Sequence, residues 1–338
     1  MAAPTKSTSS NASSASTPRS RARPAASSAS SRAWSSLVIR SAARSSSYAR
    51  RRRGVPVKRA RRPWRPRVAA SISEPVKPYF GDGRRLLFAH RGGAKRWPEN
   101  TLLAFEQAHA LGYRWIETDI HLSADGELVV FHDETLERTT DGAGRVSDRT
   151  LAELKALDAA HRFSRDGGRT HPYRGQGVRI PTLEEALALD PELHLNLEMK
   201  GTNPAIADAL WGFIEAHGVH DRVLAASAKD AFTERFRGLA GDRVATSPGV
   251  HGILRFWLGV RHGVWRWMRF PFDALQVPIR HGRLQVVDER FVRAAHRHGI
   301  QVHVWTIDDP REMRWLLAQG VDGIMTDRPE VLLHTVAS

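Results

Sequence analysis

Six polar or charged side chains stand at or near the ends of short β-patterned runs, and this placement constrains the fold more than any other feature of the chain. The runs are Leu86-Leu-Phe-Ala-His90, Trp115-Ile-Glu-Thr-Asp119, Leu128-Val-Val-Phe-His132 and Leu195-Asn-Leu-Glu-Met-Lys200, and the six residues are His90, Glu117, Asp119, His132, Glu198 and Lys200. Polar groups on apolar strands are costly unless they face water or a bound ion. A parallel α/β barrel satisfies that condition by gathering its strand ends around one mouth. Singly, each residue reads equally well as an ordinary strand-end polar group; six in this pattern read as a metal-assisted hydrolase site.

From Leu86 onward the β-runs alternate with amphipathic helical stretches, which favours a parallel sheet, and the length suits one TIM-type (β/α)8 barrel. The spacing predicts a first helix over Thr101–Leu111, ended by Gly112. Ser123-Ala-Asp125-Gly126 is a tight-turn signal, so a hairpin rather than a crossover helix joins the runs around it. Residues 133–180 hold one short helical stretch, Thr150–Leu157, and no strong strand, which predicts an insertion after the strand ending at His132. The barrel resumes at Pro181-Thr182-Leu-Glu-Glu185, where Thr182 and Glu185 have capping-box spacing. Further strands are expected at 222–227, 243–247, 274–278, 300–306 and 322–326, making nine candidates for eight positions. Either 115–121 and 128–132 do not both enter the barrel regularly, or 243–247 is not a strand.

Charge divides the chain. Residues 1–73 carry 17 Lys plus Arg and no acid, whereas the remainder has 34 basic and 36 acidic residues, so the tail accounts for the net charge of +15. A tail rich in Ser, Ala, Arg and Pro cannot bury enough surface to offset its ordering entropy, and 1–80 is expected to be a disordered basic tail preceding a barrel over 81–338. Its composition also fits an organelle transit peptide, or a start set too far upstream, with Val68 as one alternative start. The basic clusters Arg50–Arg53 and Lys58–Arg67 lack a folded recognition motif, so no specific nucleic-acid partner is expected. The longest apolar run in the tail, Leu37-Val-Ile39, is far short of a secretion signal or a membrane span, and the expected location is cytoplasmic. With no cysteine there are no disulfides, no thiolate metal site and no cysteine nucleophile. Neither Gly81-Asp-Gly83 nor the Gly323 region has a P-loop ending, and no nucleophile elbow or dinucleotide fingerprint is found.

Glu117 and Asp119, two apart on a strand, project to one side, and Glu198 can join them from another strand. Three carboxylates without a sulfur ligand suit a hard divalent cation such as Mg²⁺ or Ca²⁺, which would neutralise negative charge on a substrate oxygen. His90 and His132 are the general acid and base candidates, their individual roles unassigned. Arg91 and Lys200 are placed to hold a phosphate, and Trp305 either walls the pocket or packs in the core. Residues 253–272 concentrate large apolar groups among arginines. They either cover the barrel or form an apolar lid at the mouth, with Arg255, Arg266 and Arg269 meeting anionic lipid head groups in a peripheral membrane contact.

Over residues 85–332 the chain resembles the glycerophosphodiester phosphodiesterases. His90-Arg91-Gly92, Pro98-Glu99-Asn100-Thr101, Glu117-x-Asp119, His132-Asp133, Glu198-x-Lys200, Val304-Trp305-Thr306 and Gly323-Ile-Met-Thr-Asp327-Arg-Pro329 follow that family's order. The resemblance implies a TIM-type barrel with a small subdomain after His132, catalysis by both His90 and His132, and a place for Glu99 at the site. It also implies hydrolysis of a glycerophosphodiester to sn-glycerol 3-phosphate and an alcohol. The nearest alternative is lysophospholipase D-type release of lysophosphatidic acid from a lysolipid. Alternatives of other classes are a non-catalytic protein that binds phosphate compounds and a nucleic-acid binder driven by the tail.

Overall fold

The computed structural model describes residues 77–81 and 85–338. The predicted tail up to residue 76, its basic clusters and the alternative start at Val68 lie outside the described residues. The barrel strands and helices are β1 Leu86–His90, α1 Leu102–Ala110, β2 Trp115–Leu122, β3 Leu128–Val130, α2 Leu151–Ala156, α3 Leu183–Ala188, β4 His194–Met199, α4 Ala205–His217, β5 Val223–Ala226 and α5 Asp230–Ala240. They continue with β6 Ala245–Thr246, α6 Val250–His262, β7 Ala274–Val277, β8 Arg280–His281, β9 Leu284–Gln285, α7 Glu289–His296, β10 Gln301–Val304, α8 Pro310–Gln319, β11 Gly323–Thr326 and α9 Pro329–Ala337.

Eight parallel strands run in the order β6-β5-β4-β2-β1-β11-β10-β7. The two end strands are drawn together by Asp273, whose amide donates to the Thr246 carbonyl at 2.9 Å while its carboxylate accepts from the Thr246 amide at 2.8 Å. The ring is therefore nearly closed, as a (β/α)8 barrel requires. The surplus strand candidate is β3, which pairs antiparallel with β2 and lies off the ring, while 243–247 does contribute β6. The reason is local. Ser123 Oγ donates to Asp125 at 2.5 Å and accepts from the Glu127 amide at 2.9 Å, so the chain reverses too tightly for a parallel return.

Alternate strand residues separate two cores. Ile116, Ile120, Leu195 and Leu197 face outward under Ile206, Leu210, Ile214, Phe232 and Phe236. Inside, Leu86, Phe88, Leu224, Ala245, Ala274 and Met325 close over a plug made by Tyr79 and Phe80. The plug is a single 3₁₀ turn, Pro78–Phe80, held by Lys77, whose ammonium reaches Asp273 at 2.9 Å and the Val244 carbonyl at 2.8 Å. Tyr79 and Phe80 are 0% and 3% exposed, and burying an aromatic ring of this size stabilises by about 1.5–3 kcal/mol. The expected boundary at 80/81 therefore cuts through the stopper of the barrel, and residues 77–80 pack with the barrel.

The capping box expected at Thr182 and Glu185 forms; Thr101 also caps α1, and Thr150 with Glu153 makes a second capping box at α2. The insertion after β3 carries α2 and its own small core of Leu136, Val146, Leu154, Val178 and Ile180, seated on Val129 and Phe131. The tryptophan-rich segment does not form a lid. Residues Trp265–Trp267 make a 3₁₀ turn between α6 and β7, which places it at the N-terminal ends of the strands, opposite the mouth. There Trp265 is buried edge-on against His298, Phe256 meets Phe270 and Phe291, and Trp267 remains 80% exposed.

Candidate active site

Register, more than proximity in sequence, assembles the site. In the parallel ladders His90 lies beside Glu117 and, one inward-facing step further along, Asp119 lies beside Glu198, so strands β1, β2 and β4 deliver all four side chains to the same end of the barrel. Glu117, Asp119 and Glu198 each offer an oxygen within 4.8 Å of the others. Glu117 is 5% exposed and Asp119 is 1% exposed, so their charges need compensation from within the protein.

Part of that compensation is present. Lys200 Nζ lies 3.0 Å from Asp119 and 2.7 Å from Glu198, Arg91 Nε lies 3.3 Å from the other Asp119 oxygen, and buried Asn100 donates to that oxygen at 3.0 Å. Asn100 is itself oriented by the Thr118 hydroxyl at 2.8 Å. Burial works to raise the Asp119 pKa, but Lys200, His132 and Arg91 prevail and hold it well below the usual carboxylate range. Glu117 is less well served. Burial, reinforced by the neighbouring Asp119 and Glu198 charges, pushes it up to about 7, and its Oε2 is buried without a hydrogen-bond donor. Three clustered hard oxygen donors, one of them with a buried oxygen that no donor reaches, fit a divalent cation.

Both predicted histidines are held in the same way. Nδ1 of His90 meets Asp327 Oδ1 at 2.6 Å, and Nδ1 of His132 meets Asp133 Oδ1 at 2.5 Å. A carboxylate on Nδ1 selects the tautomer that leaves Nε2 to exchange protons. Nε2 of His90 lies 3.6 Å from Glu117 Oε2. Burial lowers the His90 pKa, but Glu117 and Asp327 outweigh it and the net movement is upward.

Glu99 sits between two guanidinium groups, Arg91 at 2.9 Å and Arg138 at 2.8 and 2.6 Å. Burial opposes ionisation there, yet the Arg138 hydrogen bonds and the two cations bring its pKa down to about 2. The N-cap of the following helix α1 is Thr101, which leaves Glu99 to these two cations. Trp305 packs against the interior cluster, one of the two roles expected of it, and it also borders a groove of about 500 Å³ with Ile279, Ile307 and Trp315 that none of the six strand-end residues lines.

Residues 90–331 match the glycerophosphoryl diester phosphodiesterase family model. The chain belongs to that family. It is 33% identical over 259 residues to a glycerophosphodiester phosphodiesterase of Caldanaerobacter subterraneus subsp. tengcongensis, covering 75% of this chain and 98% of that protein. It is likewise 33% identical to a glycerophosphodiester phosphodiesterase of Bacillus altitudinis, over 72% of this chain and 95% of that one. Among solved structures, an Oleispira antarctica phosphodiesterase in complex with the product sn-glycerol-3-phosphate superposes with a TM-score of 0.61 at 29% identity, covering 75% and 97% of the two chains. The molecule is thus a phosphoric diester hydrolase on a TIM-type barrel, and the non-catalytic alternatives fall away for the barrel.

In this diesterase the sequence reading missed four site residues. Asn100, Asp133 and Asp327 lie inside the recognised motifs without having been given roles, and Arg138 lies outside them. A carboxylate directly after a strand-end histidine was the available signal for Asp133. Asp327 is 237 positions from His90, and pairing of β1 with β11 brings them together.

Proposed function

We propose that this glycerophosphodiester phosphodiesterase hydrolyses a water-soluble diester to sn-glycerol 3-phosphate and an alcohol, using Glu117, Asp119 and Glu198 as ligands of a divalent cation and His90 and His132 as the acid–base pair. The observation that carries the reading is the pair of carboxylate-held imidazoles, His90–Asp327 and His132–Asp133, beside the buried carboxylate cluster. When bound, the cation supplies Lewis-acid stabilisation of the charge that develops on the phosphoryl oxygens.

The chain's own residues do the remaining work. One imidazole accepts the proton of the attacking oxygen as its bond to phosphorus forms. The other, protonated, gives its proton to the alcohol oxygen as that oxygen's bond to phosphorus breaks. Arg91, fixed between Glu99 and Asp119, and Lys200, fixed between Asp119 and Glu198, present positive charge to the phosphate. Trp305, which directly follows β10 at the same end of the barrel, supplies one apolar wall for the alcohol group. A soluble substrate is favoured over a lysolipid because the part of the proposed lid that carries Trp265 and Trp267, between α6 and β7, lies at the other end of the barrel. No helix among the described residues is long and apolar enough to cross a membrane.

The test is to incubate the protein with glycerophosphocholine and with lysophosphatidylcholine, each with Mg²⁺, Ca²⁺ or a chelator, and to identify the products by mass. The expected result is sn-glycerol 3-phosphate and choline, lost on chelation. Preferential release of lysophosphatidic acid would reverse the substrate assignment.

A further inference from the structure

Arg138 lies on the insertion, six residues beyond His132, and its guanidinium engages two carboxylates at once. Nε and Nη2 reach the two oxygens of Asp133 at 2.5 and 3.1 Å, and Nη1 and Nη2 reach the two oxygens of Glu99 at 2.8 and 2.6 Å. Each carboxylate also holds a site residue: Asp133 Oδ1 is on His132 Nδ1, and Glu99 Oε1 is on Arg91. The arginine is presented by a rigid turn in which the Thr140 hydroxyl and amide both donate to the Leu136 carbonyl, with Leu136 buried in the insertion core.

We propose that Arg138 is a positioning residue for the acid–base chemistry: it fixes Asp133, and through Asp133 the ring of His132, by bracing both against Glu99. The inference rests on the role proposed above for His132. An ordinary surface ion pair contributes little, and the Arg138 side chain is 45% exposed. The geometry here differs from that case. One planar fork bridges two carboxylates, one of them on a barrel loop and the other on the insertion, which an ammonium cannot do with the same directionality. Without the fork, Asp133 keeps only the imidazole and can rotate with it, so the Nε2 that exchanges protons loses its fixed direction. The insertion thereby acquires a function: it supplies the brace that orients a barrel residue.

The test uses the full chain at saturating divalent cation, with kcat and KM measured separately for Arg138→Gln, Arg138→Lys, Asp133→Asn, His132→Ala and the double variant His132→Ala with Arg138→Gln. Loss of a partner that orients a site residue costs about 10- to 100-fold, and that loss is expected in kcat, with KM changing less than about threefold, for Arg138→Gln. Arg138→Lys should recover little, and Asp133→Asn should reproduce the loss from the other side of the link, which guards against a folding defect peculiar to position 138. In the His132→Ala background the Gln substitution should cost less than about threefold, because a residue acting through His132 has nothing left to position. Wild-type kcat in Arg138→Gln, or losses that multiply in the double variant, would overturn the proposal. If His132→Ala itself keeps full turnover, the His132 reading fails; if it is inactive while Arg138→Gln is fully active, only the role of Arg138 fails.

Discussion

His303 allows the charge-burial argument to be tested away from the catalytic groups. It points into the barrel from β10, 0% exposed, with its ring 5.0 Å from Phe88 and 6.1 Å from Phe80. Nε2 meets Gln301 Oε1 at 2.9 Å, and Nδ1 has no hydrogen-bond partner. Gly323 makes the room, since a Cβ there would lie 2.7 Å from His303 Cδ2. Burial, only weakly opposed by Asp322, pulls the imidazole down to about 4 from an ordinary 6.5. Between those values the unfolded chain binds a proton that the folded chain refuses. Stability is therefore complete above about pH 6.5 and falls as pH drops toward 4, by about 3 kcal/mol at 1.36 kcal/mol per unit. Set against a typical total of about 5–15 kcal/mol, that is a substantial loss. The assay is urea unfolding of the wild type and of His303→Gln from pH 7.5 to pH 4, followed by circular dichroism. Carboxylates destabilise both proteins at low pH, so the difference between them isolates the histidine. Wild type is expected to lose about 3 kcal/mol relative to the variant across that range. Parallel pH curves for the two proteins would refute the reasoning.

Glu117→Gln, Asp119→Asn and Glu198→Gln should each blunt both turnover and the rise in melting temperature with added Mg²⁺ or Ca²⁺, a rise equivalent to about 2.7 kcal/mol at a hundredfold excess over Kd. A cation-dependent melting shift unchanged in Glu117→Gln would remove that residue from the ligand set. His90→Ala and His132→Ala should each lose about 10²- to 10⁴-fold in kcat while far-ultraviolet circular dichroism stays native; near-normal turnover on an alkyl diester would dismiss the residue concerned. Gly92 has φ +82°, and a Cβ on it would fall 2.7 Å from Ala104 Cβ and 2.8 Å from Phe105 Cδ1. Gly92→Ala should therefore cost about 2–4 kcal/mol in left-handed strain and overpacking, and it should also lower kcat by displacing Arg91; an unchanged unfolding midpoint would show that α1 yields freely. Phe80→Ala, which unstops the barrel floor, should cost about 3–5 kcal/mol in chemical denaturation, and a loss below about 1 kcal/mol would mean that the plug is not part of the cooperative unit.

Much of the barrel was legible in the linear chain because its determinants are local. Period-two alternation puts Glu117 and Asp119 on one side of β2, threonine with glutamate three residues on starts α2 and α3, and the Ser123–Gly126 turn forces a hairpin. Strand-end position together with residue type singled out the candidate carboxylates and histidines, since few other groups bind hard cations or exchange protons near neutrality. What the chain did not disclose depends on ring closure and on side-chain reach. The Asp119–Glu198 register, the Asp327 carboxylate on His90 and the two-way fork of Arg138 join positions 79, 237 and 39 residues apart, the last counted to Glu99, and no local pattern encodes such separations. The same holds for the apolar cluster around Trp265. Its composition suits a lid or a floor equally, and only its place between a helix and the strand that follows puts it at the closed end of the barrel, because helix-to-strand connections there lie opposite the mouth.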